Sequence, residues 1–176
     1  LSGLLADVVR LFREQASLGG LALRLWVPRG GATVWAEPVL LRQALANLVQ
    51  NAIRYTPQGK VLVSVRARGS DWLVEVRDTG VGIAVADQYR VFSPYYRGER
   101  ADQINDAGHG LGLAVVARCA EQMGATHGLV SQAGRGSCFW LRLPAHTAAA
   151  TTTAVPPDPV ALHRDETAMR PLQGRC

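Results

Sequence analysis

The sequence has no run of 18 or more apolar residues, few aromatic side chains and a single lysine. Its 176 residues are 48% hydrophobic and 19% charged, but only 6% aromatic. Without a long apolar run, no membrane-spanning helix is predicted. Residues 1–7 also lack the basic stretch and the cleavage site of a signal peptide. The chain does not begin with Met, so we expect it to be part of a longer protein.

Cysteine is also scarce. Cys119, Cys138 and Cys176 are odd in number and widely spaced, with no CxxC pair among them. This pattern is typical of a reducing compartment, and it argues against a disulfide framework or a zinc site.

The charge of the chain is mildly basic. The formal net charge is +5, and all of it resides in residues 1–144, where 16 basic residues oppose 11 acidic ones. No basic run is interleaved with aromatic residues, so nucleic-acid binding is not predicted. A basic surface would suit an anionic nucleotide or an acidic partner domain, and the composition does not choose between them.

Hydrophobic periodicity predicts one folded domain over residues 1–144, with helices on one face of a mixed sheet. The predicted helices cover residues 2–18, 38–55, 87–91 and 111–123. The predicted strands cover residues 21–27, 33–35, 61–68, 72–78, 128–131 and 137–143. Residues 145–176 are rich in Ala, Thr and Pro and carry no core-forming pattern, so they are predicted to be a disordered tail.

Polar side chains form one stripe of the second predicted helix. Asn47, Asn51 and Arg54 lie at positions i, i+4 and i+7, which share a helix face. Amide oxygens are suitable ligands for Mg²⁺, and an arginine beside them is able to neutralise phosphates. An ordinary solvated helix face would show the same pattern.

A carboxylate lies at the end of a strongly apolar predicted strand. Asp78 precedes Gly80 and Gly82, and these glycines would let a planar ligand approach the backbone. The carboxylate could then accept a hydrogen bond from an adenine amino group. A common Asp-X-Gly turn explains this segment equally well.

A glycine-rich segment opens the third long helix. Gly108, Gly110 and Gly112 precede it, and free N–H groups at a helix start favour phosphate. The glycine pattern is weak by itself. Residues 93–108 are polar and aperiodic, which is typical of a lid or binding loop. His109 is interpreted as a residue of this loop, because no Cys, Asp or second His is spaced to complete a metal site.

Taken together, these motifs resemble the ATP-binding catalytic domain of bacterial sensor histidine kinases, a relative of the DNA gyrase and mismatch-repair ATPases. The matching segments are Asn47–Tyr55, Asp78–Gly82, Phe92–Arg97 and Gly108–Leu113. The resemblance covers residues 1–144. It implies an α+β fold of the Bergerat type, a two-layer α/β sandwich with a mixed, mostly antiparallel sheet and three helices on one face. It implies ATP and Mg²⁺ as cofactors.

The resemblance also implies roles for individual residues. Asn51 would ligate Mg²⁺, while Asn47, Arg54 and Arg97 would take part in the transfer of phosphate. The residues implied to contact the nucleotide are Asn51, Tyr55, Asp78, Gly80, Gly82, Phe92, Gly108, Gly110, Leu111, Gly112 and Leu113. The family usually has Thr where His109 stands, and this departure affects the loop beside the phosphates.

One position separates the kinases from the related ATPases. The ATPases carry a Glu where this chain has Asn47, and that Glu activates water. Asn is not a general base at neutral pH, so the resemblance implies phosphoryl transfer rather than hydrolysis. Two alternatives share the fold: a stand-alone serine kinase of the anti-sigma-factor type, which would carry Glu at position 47, and a nucleotide-binding module used for interaction.

Partners are implied in the same way. The acceptor histidine of this family lies on a helical dimerisation domain that precedes the catalytic domain. The four histidines of this chain lie outside such a context: His109, His127, His146 and His163. The resemblance further implies a downstream response regulator, a homodimer formed through upstream helices, and a cytoplasmic domain whose parent protein is anchored in the inner membrane.

Overall fold

A five-stranded sheet with helices packed on one of its faces makes up the folded part of the chain. The computed structural model describes residues 1–96 and 110–144. The elements in chain order are α1 (Ser2–Leu18), β1 (Ala22–Trp26), α2 (Pro38–Arg54), β2 (Lys60–Arg68), β3 (Asp71–Asp78), α3 (Val85–Gln88), α4 (Gly112–Gln122), β4 (Thr126–Gln132) and β5 (Gly136–Pro144).

The sheet is mixed and mostly antiparallel, which confirms the predicted fold class. Its strand order is β1-β2-β3-β5-β4. Strand β1 runs parallel to β2, and the three other pairings are antiparallel. Both predicted hairpins are present, and β5 lies between β3 and β4. Because β3 and β5 are antiparallel, the end of β3 lies beside the start of β5.

The core lies between the sheet and the three long helices. Helix α2 packs against α1 on one side and α4 on the other, and it contacts β2 and β3 beneath it. It begins at Pro38, whose fixed φ suits the first helical position, after the N-cap residue Glu37. The apolar side chains that recur at helical spacing along α2 are buried: Leu41, Leu45, Leu48, Val49 and Ala52. Alternate valines of β2 and β3 form the opposite wall of the core.

Two predicted elements differ from the structure. The strand predicted at residues 33–35 is absent except for an isolated bridge residue, Val34. The preceding N–H of Ala32 donates to Ser2 Oγ over 3.0 Å, which ties this segment to α1 instead of extending it along the sheet. The short helix predicted at 87–91 begins earlier, because Gln88 Nε2 donates to Ile83 O (3.1 Å) and fixes the turn there.

No helix in the described part of the chain combines the length and apolar character needed to cross a membrane. The predicted tail, residues 145–176, lies outside the described residues.

The buried face of α2 generates a stability prediction. Leu45 is 0% exposed, whereas Leu11 on α1 is 72% exposed. We expect Leu45→Ala to lower the free energy of unfolding by about 2–5 kcal/mol, because it removes buried methyl groups and leaves a cavity. The matched control Leu11→Ala should change it by less than about 0.5 kcal/mol. Urea denaturation of both variants measures the difference, and equal losses would contradict the packing of α2.

Candidate functional site

Asp78 ends strand β3 on the helix side of the sheet, and its carboxylate is held by backbone groups. Asp78 Oδ1 accepts hydrogen bonds from Gly80 N (2.8 Å) and from Ser137 N (3.2 Å). Both bonds end on the same oxygen, so Oδ2 has no hydrogen-bond partner among the described residues. Burial raises the pKa of this carboxyl, although the two backbone N–H groups act to lower it. The residue as a whole is 9% exposed, so its carboxyl group lies in a largely buried environment.

The two glycines after Asp78 are required where the chain passes close to other backbone. A Cβ added at Gly80 would lie 2.0 Å from Tyr55 O at the end of α2. A Cβ added at Gly82, where φ is +64°, would lie 2.0 Å from Gln132 O at the end of β4. The sequence had suggested that these glycines admit a ligand. The structure adds a packing reason, because they let the loop after β3 pass between α2 and the β4–β5 hairpin.

The polar stripe of α2 lies beside this loop. Asn47 and Asn51 are half-buried, while Arg54 is exposed in the last turn of the helix. Asn47 Nδ2 donates to Gln43 O over 2.9 Å, which fixes the amide so that its Oδ1 points away from α2's own backbone. Tyr55 follows as the C-cap residue and is half-buried. The side chains predicted to share one stripe are therefore on one face.

Helix α4 begins directly opposite the two asparagines. A Cβ added at Gly112, its first residue, would lie 3.2 Å from Asn47 Oδ1 and 3.8 Å from Asn51 Oδ1. Leu111 is the N-cap residue and makes no side-chain hydrogen bond to the helix start. Because the first N–H groups of a helix have no partner within the helix, they are donors available to an anion beside the two amide oxygens. Leu113 packs against the core and anchors this end of α4.

Phe92 fixes the segment that follows α3. Its ring makes edge contacts with His127, at a centroid distance of 4.6 Å, and with Phe139, at 6.2 Å. Burial lowers the pKa of His127, which favours its neutral form. Phe92 thus contributes to packing beneath the site, and its ring lies against the β4–β5 hairpin.

The segments on either side of residues 97–109 are joined to each other. Tyr95 N donates to Gly110 O over 3.0 Å, and Tyr95 has a φ of +61°, which is unusual for a non-glycine residue. Tyr96 Oη donates to Asp87 Oδ1 over 2.5 Å. The predicted site residues Arg97 and Gly108, together with His109, lie outside the described residues.

Sequence reasoning missed a polar network behind Asp78. Ser131 Oγ lies 2.9 Å from Ser137 Oγ and accepts from Ile83 N over 2.8 Å. Gln88 Nε2 donates to Ser131 O over 3.0 Å. These bonds hold the glycine loop against the β4–β5 hairpin whose Ser137 N–H reaches Asp78. Two serines near a Gly-Arg-Gly turn were the available signal, but their pairing depends on the strand register.

Known proteins of one family are similar to this chain in sequence. The sequence profile of the family described as histidine kinase-, DNA gyrase B-, and HSP90-like ATPase matches residues 36–147. The chain is 45% identical over 113 residues to the sensor-like histidine kinase SenX3 of Mycobacterium tuberculosis, covering 64% of this chain and 28% of SenX3. It is 40% identical over 116 residues to the sensor protein TorS of Escherichia coli, covering 65% of this chain and 12% of TorS. It therefore spans less than a third of these relatives.

Solved structures give the same assignment. Full-length ShkA in complex with AMPPNP superposes with a TM-score of 0.74 at 34% identity, over 85% of this chain and 31% of ShkA. The catalytic domain of the histidine kinase ThkA superposes with a TM-score of 0.72 at 25% identity, over 82% of this chain and 92% of that domain. The chain belongs to the family of histidine kinase-, DNA gyrase B-, and HSP90-like ATPase domains.

Proposed function

We propose that this chain is the catalytic domain of a sensor histidine kinase, which binds Mg-ATP and transfers the γ-phosphoryl group to a histidine on a separate dimerisation domain. One observation carries the proposal. Three features line one side of the sheet: a buried carboxylate with one oxygen that has no partner among the described residues, the start of a glycine-opened helix, and a row of two amides. These groups match the three parts of a nucleotide: base, phosphates and metal.

Asp78 is proposed to bind the adenine base. Its Oδ1 is already committed to two backbone N–H groups, so Oδ2 is the atom that would accept the exocyclic amine. Guanine presents a carbonyl oxygen at the same position, and that oxygen would face the carboxylate without a proton between them. Preference for adenine over guanine follows from this single acceptor. Tyr55, at the end of α2, is proposed to pack near the base.

The start of α4 and the stripe of α2 are proposed to bind the phosphates and Mg²⁺. The residues fit a hard cation, because Asn51 Oδ1 and Asn47 Oδ1 are neutral oxygen donors at one point opposite Gly112. Asn51 is the proposed metal ligand. Within the described residues no group of three or more His, Cys, Asp or Glu side chains could hold a metal, so phosphate oxygens would complete the coordination. The metal, when bound, would neutralise charge on the phosphate chain.

Asn47 is proposed to favour phosphoryl transfer over the hydrolysis of ATP. Its Nδ2 is engaged with Gln43 O, and a neutral amide does not remove a proton from water. The reaction then depends on holding a nucleophile in line with the γ-phosphate and on stabilising charge. Arg54, exposed at the end of α2, and Arg97 are the proposed cations for that purpose. A serine kinase of the same fold, the first alternative, would require a carboxylate base at position 47.

The acceptor is proposed to come from another domain. His127 lies on β4 with its ring packed against that of Phe92 at a centroid distance of 4.6 Å, so it is not presented for in-line attack. The proposed partners are the histidine-containing dimerisation domain of the same kinase and a downstream response regulator, with homodimerisation through upstream helices. The parent protein is proposed to be anchored in the inner membrane, with this domain in the cytoplasm. SenX3 is named a sensor-like histidine kinase and TorS a sensor protein, and these names support the proposed arrangement.

The base-recognition proposal is tested by Asp78→Asn. The amide oxygen of Asn could keep the two bonds that Oδ1 makes, while its NH₂ group would replace Oδ2 and oppose the adenine amine. We expect unchanged folding but an ATP affinity lower by about 1.5–3 kcal/mol, or roughly 10- to 150-fold. Asp7→Asn on α1 makes the same chemical change away from the site and should leave affinity unaltered. Calorimetric titration that found equal affinity for ATP and GTP would contradict the assignment.

The metal proposal is tested by Asn51→Ala. We expect weaker binding of ATP in the presence of Mg²⁺, with little change in the binding of ATP when the metal is chelated, because only the metal-dependent part of the affinity is lost. A shift in the Mg²⁺ concentration needed for half-maximal ATP affinity measures the effect. Gln50→Ala, at an exposed neighbouring position of α2, is the control. An equal loss with and without metal would show that Asn51 acts on the nucleotide or the fold instead.

The transfer proposal is tested with radiolabelled ATP. The chain alone should not label itself, but it should label the helical dimerisation domain of its parent polypeptide, because the acceptor must be supplied at high effective concentration. Arg54→Ala should lower the labelling rate more than the nucleotide affinity, since it acts on charge that develops during transfer. Acid-labile phosphate on the isolated chain, or rapid ATP hydrolysis without an acceptor, would refute the proposal.

A further inference from the structure

The face of the sheet that lies opposite the helices is not covered by any described element. Strand residues alternate between the two faces, and the residues directed away from the helices form rows across the strands. One row runs Trp26, Ser64, Glu75, Trp140 and Gly128, as the strand register pairs them. We call this surface the open face.

The open face carries a net positive charge. Its strands contribute six cationic side chains against two carboxylates, a net charge of +4 on this face, compared with +5 for the whole chain. The cations are Arg24, Lys60, Arg66, Arg68, Arg77 and Arg142, and the carboxylates are Asp71 and Glu75. Because the helix side holds the proposed nucleotide site, this charge is not placed to bind phosphates there.

Two arginines of the open face are held in fixed positions by one carboxylate. Arg66 Nη2 and Arg77 Nη2 each donate to Glu75 Oε1 over 3.0 Å. Glu75 is 6% exposed, yet its pKa is lowered, because the two guanidinium groups outweigh the effect of burial. The side chains of both arginines remain about half exposed. Each guanidinium has five N–H donors, so both retain donors for a second anion.

Apolar side chains lie between these cations. Trp26 is 53% exposed at one side of the face, and Trp140 lies three strands away, roughly 14 Å at the usual strand spacing. Trp140 lies against Gly128, where an added Cβ would come within 2.4 Å of the indole. Leu62 and Leu73 are half-buried on the same face and do not pack against the core. Leu62 and Leu73 flank the polar Ser64–Glu75 pair, so apolar side chains alternate with arginines across this face. Arginine and tryptophan are enriched in protein interfaces.

We propose that the open face docks an acidic, partly apolar segment of another protein, whose carboxylates bind Arg66 and Arg77 and whose apolar side chains pack against Trp26 and Trp140. A second copy of this chain would bring a like charge and be repelled. A nucleic acid would need an unbroken cationic track, which Glu75 and the two leucines interrupt. A pleated sheet face also presents no apolar loop for insertion into a lipid surface.

The test uses a defined probe, a synthetic amphipathic helix with Glu on one face and Leu on the other, labelled for fluorescence anisotropy. The same peptide with Lys in place of Glu, phosphatidylglycerol vesicles and a single-stranded oligonucleotide serve as competing ligand classes. We expect the acidic peptide to bind, and its affinity to fall as salt is raised. Absence of binding, or tighter binding of vesicles, oligonucleotide or the Lys peptide, would overturn the proposal.

Matched variants locate the binding surface. Arg24→Glu should weaken binding of the acidic peptide at least about fivefold, or roughly 1 kcal/mol. Arg13→Glu on α1 makes the same change of charge on the helix side and should leave affinity within about twofold. Trp26→Ala should also weaken binding. Thermal unfolding of each variant checks the fold independently of any nucleotide. Equal losses for Arg24→Glu and Arg13→Glu would show a non-specific effect of net charge and would overturn the proposal.

Tryptophan resonances provide a second readout in the unaltered protein. The indole N–H signals of Trp26 and Trp140 should shift when the acidic peptide is added, while that of Trp72 should not. Trp72 is on β3, but its side chain packs on the core side of the sheet. A shift of Trp72 equal to that of Trp140 would place the peptide elsewhere.

Discussion

The commitment of one carboxylate oxygen of Asp78 to two backbone N–H groups, one nearby in the chain and one distant, is the constraint on which the site depends. Gly80 N comes from the loop after β3, and Ser137 N comes from β5, which lies 59 residues later in the chain. Together these bonds fix the direction of Oδ2. The loop that reaches Asp78 must also pass within contact of Tyr55 O, and only glycine fits there. The end of α2, and with it the polar stripe of that helix, is thereby held beside the carboxylate.

The buried position of Asp78 is unfavourable for its ionised form. The pKa of Asp78 is raised in the folded state, so folding favours its protonated form. The resulting stability is present at low pH and is lost as the pH rises through the folded-state pKa; at neutral pH the ionised carboxylate therefore opposes folding. A ligand that donates a hydrogen bond to Oδ2 would offset this cost, since it binds only the folded state. Recognition and stability are linked through the same unpartnered oxygen.

The sequence predicted the helices and hairpins better than the contacts between them. Helix α2 and the two hairpins follow from periodicity, because Leu45 and its neighbours repeat with the helical spacing and the valines of β2 and β3 alternate. Leu11 is apolar but 72% exposed, since α1 has a partner on only part of its circumference. The contacts of Ser131, Ser137 and Gln88 were not predictable, because they depend on which strands become neighbours. The chemical reading of Asp78 came from the resemblance, whereas its geometry required the fold.

Because side chains alternate along β3, the strand contributes charged groups to two separate surfaces. Asp78 lies on the helix side, while Glu75 and Arg77 lie on the open face, so one strand contributes to both surfaces. On the helix side, phosphate binding would rely on backbone N–H groups, amides and few cations, which suits a ligand that must be released after each turnover. On the open face the arginines are concentrated and oriented by a buried carboxylate. A large positive charge there raises the rate of encounter with an acidic partner without strengthening the retention of a nucleotide, because the sheet and its core lie between the two surfaces.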